Sequence, residues 1–122
     1  MELTYFFDTY ALFEIVHGNK NYILYSNVAL ITTKLNLMEL HYRLLDLYGK
    51  DYAEKAYNKF LQFVIEISDD IIKKANQFKL INKKRRLSYV DCIGYIIAKM
   101  NNVRFLTGDK EFENFENVEF VK

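Results

Sequence analysis

The chain has 122 residues, of which 51% are hydrophobic and 16% aromatic. This size and composition predict a single packed domain over residues 1–122 and argue against a disordered chain. The formal net charge is only +1, so the overall charge does not indicate a nucleic-acid-binding protein.

The chain contains one cysteine, Cys92, which excludes an intramolecular disulfide and favours a reducing environment. The N-terminal run "MELTYFF" has an acid at position 2 and soon meets Asp8, so it does not fit a signal peptide. The apolar runs are shorter than the roughly 18 residues that a membrane span requires. We therefore expect a soluble, cytoplasmic protein without a membrane partner.

Short β-rich runs alternate with longer helical patterns in the first half of the chain. The residue periodicity predicts, in order, a buried strand over 3–7, a short helix over 9–18, a strand over 28–33, a helix from Asn36 to Gly49 and a helix over 51–63. The stretch "NYILYSN", which follows the first helix, fits one or two helical turns.

The second half continues the alternation. It predicts a third strand over 64–68, a helix from Asp69 to about Leu80, a basic loop, a mostly buried helix over 88–100, a fourth strand over 103–107 and a short fifth strand over 118–121. Strands alternating with helices are typical of an α/β protein. We therefore predict a three-layer sandwich with a mostly parallel, roughly five-stranded sheet.

Single acidic residues stand near the carboxyl ends of the predicted strands, where ligands collect in such a sheet. Asp8 directly follows the first strand, Asp109 closely follows the fourth, and Glu39 lies in the predicted first turn of the helix after the second strand. Asp91 lies on a helix that precedes a strand, and we expect such a helix to begin at the opposite edge. Periodicity alone therefore does not bring Asp91 to the other acids.

Each acid also has a purely structural explanation. Asp8 fits the N-cap of the next helix, Asp91 a capping box with Ser88, Glu39 the positive end of a helix dipole, and Asp109 a turn after Gly108. A cluster of all four is different, because carboxylates crowded together repel one another unless a cation binds between them. Carboxylates from separate elements are the ligands of Mg²⁺ or Mn²⁺, which can activate water and hold a phosphate.

Three stretches of the sequence resemble the PIN domain, and within it the small VapC-type ribonuclease toxins of prokaryotes. "YFFDTYALFEI" is similar to the family's opening strand with its first acid, Asp8, and "NLMELHYRL" to the helix with the second acid, Glu39. "LSYVDCIGYIIAKMNNVRFLTGDKEF" resembles the family's most recognisable stretch and supplies Asp91, Thr107 and Asp109. The resemblance covers nearly the whole chain.

The resemblance implies a parallel sheet with helices on both faces, a crossover that brings Asp91 to the other acids, and metal-dependent cleavage of RNA. Asp8, Asp91 and Asp109 would coordinate Mg²⁺ or Mn²⁺ directly or through water. Glu39 would coordinate the metal or orient the attacking water, and Thr107 would hold a carboxylate or a water. The family also implies an antitoxin partner and a homodimer.

Three further features lie near these residues. Gly108 would leave room beside a metal and its phosphate, and Glu111 stands where relatives often have another Asp. The loop "NKKRR" precedes the Asp91 helix and supplies four basic residues: Lys83, Lys84, Arg85 and Arg86. Contact with an RNA backbone and simple solvation of a surface loop both explain these basic residues.

Other functions fit parts of the pattern. One is a PIN fold without activity that serves as an interaction module. A receiver-type phosphoacceptor domain has a similar length, and Asp69-Asp70 imitates its acceptor after the third strand, but Glu39 and Asp91 would be unexplained. A haloacid-dehalogenase-like phosphatase needs Asp-x-Asp after the first strand and is excluded by Tyr10.

Overall fold

The computed structural model of the protein describes residues 3–122; Met1 and Glu2 of the predicted domain lie outside the described part. The described residues form one sheet of four parallel strands, in the order β2-β1-β3-β4. The strands are β1 (Thr4–Phe7), β2 (Ala29–Ile31), β3 (Arg104–Thr107) and β4 (Val118–Phe120). The helices are α1 (Thr9–His17), α2 (Lys34–Tyr48), α3 (Lys50–Phe60), α4 (Asp69–Ile81) and α5 (Tyr89–Met100).

The sheet separates two hydrophobic cores because successive side chains of a strand point to opposite faces. In β1, Tyr5 and Phe7 pack into a core with residues of α1, α2 and α3. Phe6, between them, packs into the other core with residues of α4 and α5, where its ring stacks on Phe105 of β3 at 5.6 Å between centroids. The predicted three-layer α/β sandwich is therefore confirmed.

The predicted third strand over 64–68 is wrong, so the sheet has four strands and not five. This segment makes one isolated parallel bridge, between Thr32 and Val64. The pairing stops there because both segments lead into helices: Thr33 is the N-cap of α2 and Ser68 is the N-cap of α4. Asp69 and Asp70 open α4 and do not follow a strand, so they do not match the acceptor of a receiver domain.

Two helical predictions differ in detail. The helix α2 begins at Lys34, before the predicted Asn36, because the Thr33 side chain accepts a hydrogen bond from the Asn36 backbone N–H. This earlier start places Glu39 in the second turn of α2 and not in the first. The predicted helix over 51–63 is the α-helix α3 only as far as Phe60 and then a 3₁₀ turn over Leu61–Phe63. The stretch after α1 is a 3₁₀ helix over Lys20–Tyr25, which agrees with the predicted one or two helical turns, and a further 3₁₀ turn covers Lys110–Phe112.

Within residues 3–122, none of the helices combines the length and the apolar character needed to cross a membrane.

Candidate active site

The strand order reverses between β1 and β3, the two central strands of the sheet. β1 connects to β2 on one side, whereas β3 and β4 extend the sheet on the other. Phe7 pairs with Leu106, so the residues that follow them, Asp8 and Thr107, meet at the carboxyl edge. In open parallel sheets, the crevice at such a reversal is the usual place for a ligand.

Asp8 occupies this crevice and also caps α1. Its side chain is 4% exposed. Oδ1 accepts a hydrogen bond from the Ala11 backbone N–H at 2.8 Å, as an N-cap should, and Oδ2 accepts one from the Thr107 hydroxyl. The same hydroxyl oxygen accepts from the Asp109 backbone N–H at 3.0 Å. The cap explanation of Asp8 is therefore correct, and the cap lies at the switch point of the sheet.

The direction of α5 brings Asp91 to the same edge. The end of α5 lies near the beginnings of β3 and β4, because the Val103 N–H donates to the Ala98 carbonyl at 3.0 Å and the Tyr95 hydroxyl donates to the Glu116 carbonyl at 2.6 Å. The first turn of α5 must then lie at the carboxyl edge. The expectation that a helix before a strand begins at the opposite edge is wrong, because such a helix runs antiparallel to the strand that follows it.

Asp91 is half-buried and belongs to a complete capping box. Its backbone N–H donates to the Ser88 hydroxyl at 3.0 Å, and its Oδ2 accepts from the Ser88 backbone N–H at 3.0 Å. Asp109 likewise caps the 3₁₀ turn Lys110–Phe112, with Oδ1 accepting from the Glu111 N–H at 3.0 Å. Each of these two carboxylates therefore uses one oxygen in its cap, which fixes the direction of the other oxygen.

Glu39 is held by a chain of hydrogen bonds that the sequence does not predict. The Thr9 hydroxyl donates to Glu39 Oε1 at 2.6 Å, and Asn36 Nδ2 donates to the Thr9 oxygen at 3.2 Å. Asn36 is buried, and its Oδ1 accepts from the Thr33 hydroxyl at 2.6 Å. The spacing Thr33-x-x-Asn36 is a recognisable cap pattern, but nothing local in the sequence indicates that Asn36 would reach Thr9.

The four acids influence one another electrostatically. Burial raises the pKa of Asp8 to about 8; hydrogen bonds from Thr107 and Ala11 oppose this rise, and the nearby Asp91 and Asp109 add to it. Burial also raises the pKa of Asp91, against the hydrogen bonds from Ser88, and Asp109 and Glu39 add to the increase. The crevice therefore carries an excess of negative charge when its carboxyls are ionised.

The acids nevertheless do not form a closed coordination sphere. In the part of the chain that the structure describes, no three Asp, Glu, His or Cys side chains lie close enough together to hold a metal ion. The donor chemistry does suit one, since carboxylate oxygens are the ligands that Mg²⁺ and Mn²⁺ prefer. The carboxylates come from the residue that follows β1, from α2, from α5 and from the segment after β3.

Gly108 has a different use from the predicted one. A Cβ atom at this position would overlap the ring of Tyr10 and the carbonyl oxygen of Val121. The missing side chain therefore allows α1 and the end of β4 to pack against the segment between Thr107 and Asp109. Gly108 serves this close packing, and the expectation that it leaves room for a metal and its phosphate is wrong.

The basic loop lies on the surface between α4 and α5, and Lys83, Lys84, Arg85 and Arg86 are all exposed. The Arg85 side chain already contacts other residues of the protein. Its Nη1 donates to the Glu111 carbonyl at 3.1 Å, and its guanidinium carbon lies 4.5 Å from the centre of the Phe115 ring. Glu111 therefore connects this loop to Asp109, and its backbone, more than its carboxylate, makes the contact.

Comparison with known proteins agrees with this fold. Residues 5–118 match the family model of the PIN domain. The structure of VapC20 from Mycobacterium tuberculosis, a toxin that cleaves the sarcin-ricin loop, superimposes with a TM-score of 0.81 at 18% identity, over 97% of this chain and 99% of that one.

A toxin–antitoxin complex from Klebsiella pneumoniae gives a TM-score of 0.72 at 19% identity, over 93% of this chain and 94% of that one. DNA-bound VapBC from Salmonella typhimurium gives 0.71 at 17% identity, over 97% and 96%. No curated protein matches the sequence. The structural likenesses concern the fold, whereas the family model covers nearly the whole sequence, and on that ground the chain belongs to the PIN domain family.

Proposed function

We propose that the protein is a metal-dependent endoribonuclease that hydrolyses RNA phosphodiester bonds. The observation that carries this proposal is that Asp91 and Asp109 both lie near enough to Asp8, at the switch point of the sheet, to add to the rise that burial causes in its pKa. A structural cap does not require neighbouring acids, and such neighbours destabilise its ionised form. A site that binds a divalent cation accounts for all of these acids together.

Mg²⁺ or Mn²⁺ suits the chemistry of these donors. Asp8, Asp91 and Asp109 would hold the ion directly or through water, and Glu39 would bind it or orient the attacking water. When bound, the ion would lower the pKa of a coordinated water and offset negative charge at the phosphate.

The protein's own hydrogen bonds orient the carboxylates before any ligand binds. The Thr107 hydroxyl fixes Asp8, the Ser88 backbone fixes Asp91, and the Thr9 hydroxyl fixes Glu39. Mutation of a residue that orients a metal ligand typically lowers metal affinity or activity by about 10- to 100-fold. Thr107 is therefore proposed as a positioning residue, since its hydroxyl contacts both Asp8 and Asp109.

The basic loop would contact the RNA backbone. Lys83, Lys84 and Arg86 are exposed, and each phosphate that such a side chain neutralises adds affinity and salt dependence. Arg85 would contribute less, because it already contacts Glu111 and Phe115.

We further propose that the protein is the toxin of a toxin–antitoxin pair in the cytoplasm. Support comes from the similar structures, which include toxin–antitoxin complexes from two bacteria. The proposal includes an antitoxin protein as partner and a homodimer as the assembly. A small reading frame beside the gene that encodes a DNA-binding protein would support it, and size-exclusion chromatography would test the dimer.

The test of activity is cleavage of RNA by the purified protein, freed of any inhibitor, with Mg²⁺ or Mn²⁺. Asp91→Asn should abolish cleavage and keep the fold, because an amide oxygen can still accept the hydrogen bond from the Ser88 backbone N–H. Asp70→Asn is the matched control: Asp70 also lies in a helix's first turn, but its side chain is 62% exposed and pairs with Lys74 at 3.3 Å. Cleavage by Asp91→Asn at the rate of the parent would contradict the proposal.

The second candidate is an interaction module without activity. It is favoured by one observation, that no three potential ligands among residues 3–122 are close enough to hold a metal. The same assay separates the two, since an inactive module would leave RNA intact with every divalent cation and would gain no thermal stability from Mn²⁺.

A further inference from the structure

A cleft lies between the end of α4 and the start of α5, outside the crevice of the four acids. Its volume is about 550 Å³, within the range of roughly 300–1,000 Å³ typical of ligand clefts. We call it the α4–α5 cleft, and its described lining residues are Asn76, Lys79, Leu80, Lys83 and Tyr89. Two of these residues are basic and none is acidic.

Tyr89 presents an exposed aromatic ring in this cleft. It is the first residue of α5 and is 65% exposed. Lys79 Nζ lies 4.9 Å from the centre of the ring and donates to the Leu87 carbonyl at 2.5 Å, so the lysine that contacts the ring is itself held in place. An exposed aromatic ring of this kind is a platform on which a nucleobase can stack.

The charge around the cleft is also suited to nucleic acid. Among residues 3–122, the side chains of Lys83, Lys84 and Arg86 take part in no hydrogen bond or ion pair. Lys83 lines the cleft together with Tyr89, and the exposed Lys84 and Arg86 follow Lys83 in the same loop. Phosphates next to stacked bases, the pattern of single-stranded RNA, complement this combination.

The cleft is near the acids but separate from them. Tyr89 and Asp91 lie in the same first turn of α5, and two positions correspond to a rotation of roughly 200° around a helix. The two side chains therefore face opposite sides of the start of α5. An RNA strand that reaches both would pass the end of this helix, so the nucleotide on Tyr89 would flank the one that is cut.

We propose that the α4–α5 cleft binds a nucleotide that flanks the cleavage site, with its base stacked on Tyr89 and its phosphates contacting Lys83 and the adjacent Lys84 and Arg86. This inference rests on the proposed ribonuclease function and assigns a substrate-binding subsite to it. Tyr89 contributes to RNA binding and not to the chemical step.

The experiment measures binding without cleavage. A fluorescently labelled single-stranded RNA octamer is titrated with the metal-free protein in EDTA, and anisotropy gives the dissociation constant. Tyr89→Ala should raise this constant roughly 5- to 150-fold, the loss typical of removing one base–aromatic stack, whereas Tyr89→Phe should keep it near the parent value. Lys83→Ala should reduce the slope of log affinity against log salt by about 0.7.

The matched controls are Tyr48 and Lys55, which lie near the end of α1 that is opposite to Asp8. Tyr48 is the last residue of α2, and its hydroxyl lies 3.0 Å from Nδ1 of His17, the last residue of α1. Asp8, by contrast, precedes the first residue of α1. Lys55 is an exposed lysine of α3 beside Val16. Tyr48→Ala and Lys55→Ala should bind the octamer as the parent does. Circular dichroism and thermal melting establish that every variant is folded.

An octamer with the same backbone but without bases separates stacking from an effect on the fold. With this abasic RNA, the parent and Tyr89→Ala should bind equally. Weaker binding of the abasic RNA by Tyr89→Ala would mean that the tyrosine acts through the fold, and the inference would be overturned.

Two other results would overturn the inference. One is a folded Tyr89→Ala protein that binds the base-containing octamer as tightly as the parent. This includes a variant that keeps its affinity for RNA but loses affinity for an acidic polyglutamate peptide, which is tested in parallel. In that case the cleft would serve a protein partner, and the proposed ribonuclease function would stand if the parent cleaves RNA. The other is a parent protein that neither binds nor cleaves RNA, which overturns the proposed function together with the subsite.

Discussion

The Thr107 hydroxyl donates a hydrogen bond to Asp8 Oδ2 across the point where the strand order of the sheet reverses. Both side chains are buried, and the residues stand 99 positions apart in the chain. The same hydroxyl oxygen accepts from the Asp109 N–H at 3.0 Å. One threonine therefore connects the first and the last of the proposed metal-binding acids.

Removal of this hydroxyl tests its contribution to stability and activity. Thr107→Val keeps the shape of the side chain but leaves Asp8 Oδ2 and the Asp109 N–H without their partner. A buried polar group that loses its partner costs about 1–3 kcal/mol, so we expect the free energy of unfolding to fall by that amount in urea denaturation. RNA cleavage should fall about 10- to 100-fold. Thr107→Ser keeps the hydroxyl, and equal losses in both variants would contradict this role.

The raised pKa of Asp8 predicts an unusual pH dependence of stability. In the unfolded chain this carboxyl has its ordinary pKa of 3.8, whereas in the folded protein the pKa is about 8. Between these values the folded state binds a proton that the unfolded state has lost, and the raised pKa of Asp91 acts in the same direction. The free energy of unfolding should therefore fall as the pH rises from about 4 to about 8.

Urea denaturation in EDTA across this pH range measures the effect. Asp8→Asn removes the titrating group, so its stability should vary less with pH than that of the parent. Stability that rises with pH through the same window, or an identical slope in the variant, would contradict the assignment to Asp8.

Metal binding should reverse this trend. A divalent cation binds ionised carboxylates and competes with protons, so the stabilisation by Mn²⁺ should grow as the pH rises toward and above 8. At a concentration of 100 times the dissociation constant, a ligand stabilises the folded state by about 2.7 kcal/mol. Thermal melts with Mn²⁺ or with EDTA measure the difference. Asp91→Asn should reduce it and Asp70→Asn should not; an equal gain in both would place the ion elsewhere.

The layers of the fold could be predicted from the sequence because each strand and helix carries its own periodicity. The extent of pairing could not be predicted. Residues 64–68 alternate as a strand should, yet the pairing ends after Thr32 and Val64 because Thr33 and Ser68 are the N-caps of helices. Where a strand ends thus depends on the caps of the neighbouring helices.

The candidate site divides in the same way. Asp8 and Asp109 could be located because Asp8 directly follows β1 and Asp109 stands two residues after the end of β3. Asp91 needed the direction of α5, which follows from general topology once the sheet is known to be parallel. Thr9 and Asn36 could not be found, since the hydrogen bond between them joins residues 27 positions apart. Long-range contacts of this kind depend on how α1 and α2 pack.

The missed residue Thr9 gives the last prediction. Its hydroxyl donates to Glu39 Oε1 at 2.6 Å and accepts from Asn36 Nδ2 at 3.2 Å, in a partly buried position. Thr9→Val keeps the shape of the side chain but removes both hydrogen bonds, so Glu39 should lose its fixed direction. We expect cleavage to fall about 10- to 100-fold, as it does when a residue that orients a metal ligand is lost.

Thr9→Ser is the matched control, because it keeps the hydroxyl and should keep most of the activity. RNA binding in EDTA should be unchanged in both variants, since Thr9 lies on α1 and not in the α4–α5 cleft. If Thr9→Val cleaves RNA as fast as Thr9→Ser, the hydrogen bond to Glu39 only stabilises the contact between α1 and α2. In that case Glu39 would not need a fixed direction for catalysis.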